Sequence, residues 1–298
     1  MKKSSTSIQP WVRTIIIFPA FLFIVGFFQF IGFAVQGLNI AKDHVHETPI
    51  QETIGALFTL MGTLLVVRLF SHFIDKIKFR ELGFNPKGAV QQMAAGFLVG
   101  IFVLGFGFLF LLLFQQIHWQ STHFVLRDLV TEVFLFLLVA FSEELLSRGY
   151  ILNNLMQSMN RSWALVVSAL MFSFIHILNP NFSWLGFANI FLAGVLLGLP
   201  YSYTRQLWFP MAFHFSWNFF QGPIFGFNVS GVEMYTLITQ TRSADTIWNG
   251  GKFGFEGSLF CTVIQIIAIG GLWGYYHQKE ALSEKTDVAE IVTETEVL

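Results

Sequence analysis

The chain has 298 residues, 54% apolar and only 12% charged, with a formal net charge of −1 and a mean hydropathy of +0.61. A soluble domain carries about a quarter charged residues, so a water-soluble globular fold is a poor fit, and the near-zero net charge gives no basis for nucleic-acid binding. A single cysteine, Cys261, excludes an internal disulfide and a cysteine-rich metal site.

The N-terminal "MKKSSTSIQPWVR" is basic and precedes an apolar run to about Val35. That run exceeds the roughly 7–15 residues of a signal-peptide core and reaches the roughly 20 needed to cross a bilayer. Apolar stretches of spanning length then recur at 12–36, 52–73, 89–117, 128–157, 162–179, 183–203, 207–227 and 256–277. The predicted fold is therefore all-α, a polytopic membrane bundle of about eight transmembrane helices, with no soluble domain between them. Gly96 and Gly100, like Gly194 and Gly198, sit four apart and predict close helix packing. The final stretch, 278–298, is polar and acid-rich and reads as a disordered cytoplasmic tail.

Lysine and arginine are unevenly distributed between the two sets of loops. Lys76, Lys78, Arg80, Lys87, Arg161, Arg205, Lys279 and Lys285 share the side of the N-terminus; Lys42, Arg242 and Lys252 lie opposite. The bias places both termini in the cytoplasm, with a bacterial plasma membrane as the expected location.

Against this apolar background "FSEELLSRGY", residues 141–150, holds three ionisable groups. Each costs about 2.5–3.5 kcal/mol at the centre of a membrane helix, so each is expected to face protein or a water-filled cavity. Neighbouring residues point about 100° apart on a helix, so Glu143 and Glu144 cannot readily share a partner. Glu144 and Arg148 are four apart and can pair on one face as a brace. Glu143 is left without a local cation, the setting of a general acid or base or of a hydrogen-bonded packing residue. "FSFIH" puts Phe172 and His176 one turn apart on the next span, and "HFSWN" does the same for His214 and Asn218.

A lone histidine among aromatic residues is more often a packing residue than a catalyst, but two histidines and an asparagine beside two glutamates form a set. A carboxylate and an imidazole can hold and deprotonate water; a second imidazole and an amide can donate to an oxyanion. Glu143, His176 and His214 could instead bind Zn2+, although no HExxH is present. The spans set His176 and His214 apart by roughly 10 Å in depth at 1.5 Å per residue. The other histidines (His44, His46, His72, His118, His123 and His277) lie in or near loops and read as surface residues.

"EELLSR", "FSFIH" and "HFSWN" resemble the EExxxR, FxxxH and HxxxN/D motifs of the CPBP (Abi) family, which includes CAAX prenyl proteases and bacteriocin-processing or self-immunity proteins. The resemblance covers about residues 125–226. It divides the chain into motif-free helices (1–124), a catalytic core (125–226), an outer loop with the last helix (227–277) and the tail (278–298). It implies Glu143 as the water-activating base, His176 orienting that water, His214 and Asn218 as the oxyanion site, and Glu144 with Arg148 holding the motif helix beside Phe172. No cofactor is implied, with Zn2+ as the alternative. The expected activity is an intramembrane endopeptidase opening to the cytoplasm, acting on a peptide or membrane-protein substrate that is lipidated in the CAAX case. A non-catalytic scaffold or immunity protein is the competing reading. A transporter is disfavoured by the absence of an internal repeat.

Overall fold

A computed structural model describes residues 8–38 and 48–296, with side chains as far as Leu282. Lys42, His44, His46 and the side chain of Lys285 fall outside the described residues. The apolar stretches form helices α1 (Pro10–Val35), α2 (Pro49–Leu69), α3 (Ala89–Leu113), α4 (Leu126–Glu144), α5 (Asn153–Ser158), α6 (Arg161–Ile175), α7 (Trp184–Thr204), α8 (Trp208–Phe219) and α9 (Leu259–Glu296). A wide π-type turn, Leu145–Leu152, runs α4 into α5 without a break, so the described chain makes eight helical rods.

Local chemistry sets several starts. Thr48 and Gln51 form a capping box with Pro49 at the first position of α2. Asn160 caps α6 through Trp163 N–H at 2.9 Å, and Ser183 caps α7 through Gly186 N–H at 2.9 Å. Thus "NPNFS" does separate two helices.

Six rods are long and apolar enough to cross a membrane: α1, α2, α3, α6, α7 and α9 to Leu282. The other two, α4 with α5, and α8, carry Glu143, Glu144, His214 and Asn218; α8 has 12 residues and is too short to cross on its own. Glycine packing joins the site helices to their neighbours. A Cβ on Gly100 would lie 2.6 Å from Ser216 Oγ of α8, and one on Gly194 would lie 2.9 Å from Ala169 Cα of α6. Gly96 faces the backbone of α8 at Phe209, and Gly198 faces Leu165 of α6.

Two features depart from expectation. The chain beyond Leu282, read as a disordered tail, continues α9 to Glu296. Its run of Glu, Ala, Lys and Leu favours helix, and after Gly274 it has neither Gly nor Pro to stop one. A two-stranded antiparallel sheet, β1 (His118–Thr122) with β2 (Ile238–Thr241), ties together two outer connections where only loops are expected.

The bundle has two main cores. One, at the end nearer the N-terminus, gathers Ile17, Val66, Val67, Phe70, Leu82, Leu145, Leu146, Tyr150, Leu199 and Leu207. The other lies between α3, α7, α8 and α9 and includes Leu104, Phe213, Trp217, Phe227 and Phe255.

Candidate active site

Glu143 and Glu144 sit on the last turn of α4, just before the wide turn, and diverge as helical geometry requires. Glu144 is fully buried, whereas the Glu143 side chain is 36% exposed and lines a cavity of about 940 Å³. Glu143 is therefore turned towards open space and is not sealed among apolar neighbours. Its Oε2 lies 3.8 Å from His176 Nε2 and 3.9 Å from His214 Nε2, and makes no hydrogen bond among the described residues. Asn218, one turn after His214, lines the same cavity.

Glu144 Oε1 accepts from Arg148 Nη1 at 2.7 Å, so the brace between residues four apart is present. Arg148 also donates from Nη2 to the carbonyl of Gly194 at 3.1 Å, and its guanidinium lies 4.4 Å from the centroid of the Phe172 ring. Phe172 in turn meets the rings of His176 and His214, with centroids 4.7 and 6.3 Å away. One aromatic ring thus spaces the arginine and both histidines.

The same Glu144 Oε1 lies 2.8 Å from His214 Nδ1, a link that the sequence reading does not contain. A carboxylate only accepts, so His214 Nδ1 carries a proton and Nε2 turns to the cavity. His176 Nδ1 lies 2.8 Å from the carbonyl of Phe172, which also only accepts. Its Nδ1 is protonated too, and in the neutral ring Nε2 is an acceptor. Both tautomers are held by partners behind the rings.

The expected depth gap between the histidines closes. At about 1.5 Å per residue, His214 lies about 9 Å along α8 from Trp208, and His176 about 22 Å along α6 from Arg161. The difference is taken up because α8 starts inside the bundle. Leu207 is fully buried, and its N–H donates to the Gly83 carbonyl at 3.0 Å. Trp208 Nε1 donates to the carbonyl of Asn85 at 2.7 Å. Gly83 has φ +131°, and a Cβ there would lie 2.8 Å from Leu207 Cγ, so glycine lets the 79–85 segment tuck under α8.

Two cavity residues escaped the sequence reading. Glu52, near the start of α2, lines the outer part. Glu256, in "FGFEGS", is buried and accepts from Ser230 N–H at 2.7 Å, Ser230 Oγ at 2.9 Å, Gln221 Nε2 at 3.1 Å and Trp217 Nε1 at 3.3 Å. It pins the loop after α8 onto α8 itself. Its only signal in the sequence is an acid between glycines and phenylalanines. The remaining described histidines, His72, His118, His123 and His277, are exposed, as expected.

The residues do not fit a zinc ion as placed. Tetrahedral zinc with bonds of about 2.0–2.1 Å sets its ligand atoms about 3.3 Å apart, and the separations of 3.8 and 3.9 Å are wider. Among the described residues no group of three His, Cys, Asp or Glu side chains is arranged to hold a metal.

The cavity is lined by Val25 and Gln29 of α1, Gln36 just after it, Glu52 and Thr59 of α2, Asn179–Asn181 after α6, and Ser230–Met234 after α8. These belong to the half of the bundle opposite the N-terminus. Cytoplasmic termini and a cytoplasmic opening, expected together, are therefore incompatible in this fold.

Residues 124–220, about a third of the chain, match the family model described as Rce1-like, type II CAAX prenyl endopeptidase. No curated protein and no solved structure matches. The matched segment holds Glu143, Glu144, Arg148, Phe172, His176, His214 and Asn218, and over that segment the chain is similar to the type II CAAX prenyl endopeptidases.

Proposed function

We propose that this protein is an intramembrane endopeptidase in which Glu143 activates water without a metal. The observation that carries the reading is a cavity-facing carboxylate whose Oε2 is near both imidazole Nε2 atoms, at 3.8 and 3.9 Å. A water in the angle between Glu143 and His176 gives up one proton to the carboxylate as its lone pair attacks a substrate carbonyl, and keeps its other O–H hydrogen-bonded to His176 Nε2. His176 can accept because its own proton is committed to Phe172. As the carbonyl oxygen becomes an oxyanion, Asn218 and the Nε2–H of doubly protonated His214 donate to it. Glu144 and Glu143 flank that ring and offset its charge. Glu143 then passes its proton to the leaving amine, and water's remaining O–H stays with the new carboxyl group.

The substrate in this reading is a peptide or a membrane protein entering a largely apolar cavity, and both termini lie in the cytoplasm of a bacterial cell. The test uses the purified protein in lipid nanodiscs with a set of fluorescence-quenched peptides, farnesylated CAAX peptides among them. Glu143→Gln, His176→Ala and His214→Ala should each abolish cleavage while melting like the wild type. Cleavage that survives in all three folded variants sinks the protease reading and favours the scaffold. Activity that is lost with a chelator and restored by Zn2+ overturns the metal-free mechanism.

A further inference from the structure

We infer that the site is served from the extracytoplasmic side, so that its substrate is a peptide segment on the outer face of the membrane and not a lipidated tail in the cytoplasm. This rests on the protease reading for the word substrate, but the direction of access stands on geometry and charge alone.

Three observations converge. Helix direction comes first. The exposed residues of the cavity wall fall in two groups. Leu22, Gly26 and Gln29 are on the flank of α1 in the middle of the bilayer span; Pro180, Asn181, Val232 and Glu233, in the α6–α7 and α8–α9 connections, are the ones that reach water. With eight rods alternating in direction, these connections lie at the end opposite the N-terminus.

The second is what closes the other end. Beneath Glu143 the wide turn buries Leu145, Leu146 and Tyr150 against Val66, Val67 and Phe70 of α2 and its extension. Leu82 of the 79–85 segment is fully buried in the same core. Tyr201 Oη donates to the Leu82 carbonyl at 3.0 Å, and Leu207 N–H donates to Gly83. This apolar plug lies between the N-terminal face and Glu143, and opening it would expose a closely packed core.

The third is the charge of the two faces. Lys76, Lys78, Arg80, Lys87, Arg161, Arg205 and Lys279 lie with the plug, whereas Arg127, Arg242 and Lys252 lie with the mouth. The basic side of a polytopic protein stays in the cytoplasm. The plug therefore faces inwards and the mouth outwards.

A substrate delivered to this mouth is an exported peptide or the outer juxtamembrane segment of a membrane protein. The test is cysteine labelling with a membrane-impermeant maleimide, in cells expressing the full chain. Cys261 is fully buried and can remain. Val232→Cys, at the mouth, should label in intact cells as fully as in lysed cells. Lys87→Cys, on the plug face, should label only after lysis. Glu143→Cys should be labelled in intact cells, which reports access to the site itself. Labelling of Lys87→Cys but not Val232→Cys in intact cells overturns the orientation. Labelling of Val232→Cys from outside while Glu143→Cys reacts only after lysis overturns the route. None of these readouts needs turnover, so inactivity towards every peptide would leave them interpretable.

Discussion

Two buried arginine–carboxylate pairs lie at different depths of the bundle and serve different ends. Arg13 Nη1 reaches Asp75 Oδ1 at 2.8 Å, and Arg13 also donates from Nε and Nη2 to the Ile8 carbonyl at 2.9 and 2.8 Å. That pair ties the start of α1 to the residue after α2's π-type extension, and neither side chain lines the cavity at Glu143. Arg148 and Glu144 are just as buried, yet Glu144 shares its oxygen with His214, which lines the cavity. Burial of charge is common to both and so does not mark a site. What distinguishes the second pair is its position behind an imidazole, with a separate carboxylate, Glu143, in front.

That contrast can be broken by exchanging effects. Glu143→Gln should lower cleavage about 100- to 10,000-fold, the usual range for a general base, with an unchanged melting temperature. Arg13→Ala should do the reverse, removing about 3–5 kcal/mol of stability by taking the cation away from a buried carboxylate while folded protein keeps its activity. Unfolding monitored by size-exclusion fluorescence beside a turnover assay reads both. If Arg13→Ala silences turnover in protein that remains folded, the separation of the two pairs is wrong.

Glu144→Gln sharpens the comparison because it touches both roles. It keeps the shape but weakens the hold on the His214 Nδ1 proton. A loss of roughly 10- to 100-fold in activity is expected, as for other partners that orient a working histidine, together with a shifted pH–rate profile. A structural brace alone would leave that profile unmoved. Glu256→Gln should have the smallest effect, about 1 kcal/mol for weakening charge-assisted hydrogen bonds. Faster hydrogen exchange confined to residues 226–234 would report it; unchanged exchange there argues against Glu256 as the anchor of that loop.

Much of the fold was legible because membrane helices announce themselves by length and apolarity. The spans 12–36, 183–203 and 207–227 fall close to α1, α7 and α8 with its extension to Ile224. The small sheet was not legible, since "HWQST" and "ITQT" are too short and polar to alternate clearly. In the site, the divergence of Glu143 and Glu144 and the Glu144–Arg148 pair followed from 100° per residue. The Glu144–His214 link did not, because 70 residues separate the partners in sequence.

The sequence by itself thus determined a helical membrane bundle, the family-like motifs and the inequality of two neighbouring glutamates, all of which depend on local periodicity and composition. Only the tertiary structure decided that α8 begins inside the bundle, which brings His176 and His214 level with Glu143. It also decided that the cavity opens away from the termini. Both depend on how the 79–85 segment packs beneath Leu207, a contact between residues more than a hundred positions apart that no local pattern encodes.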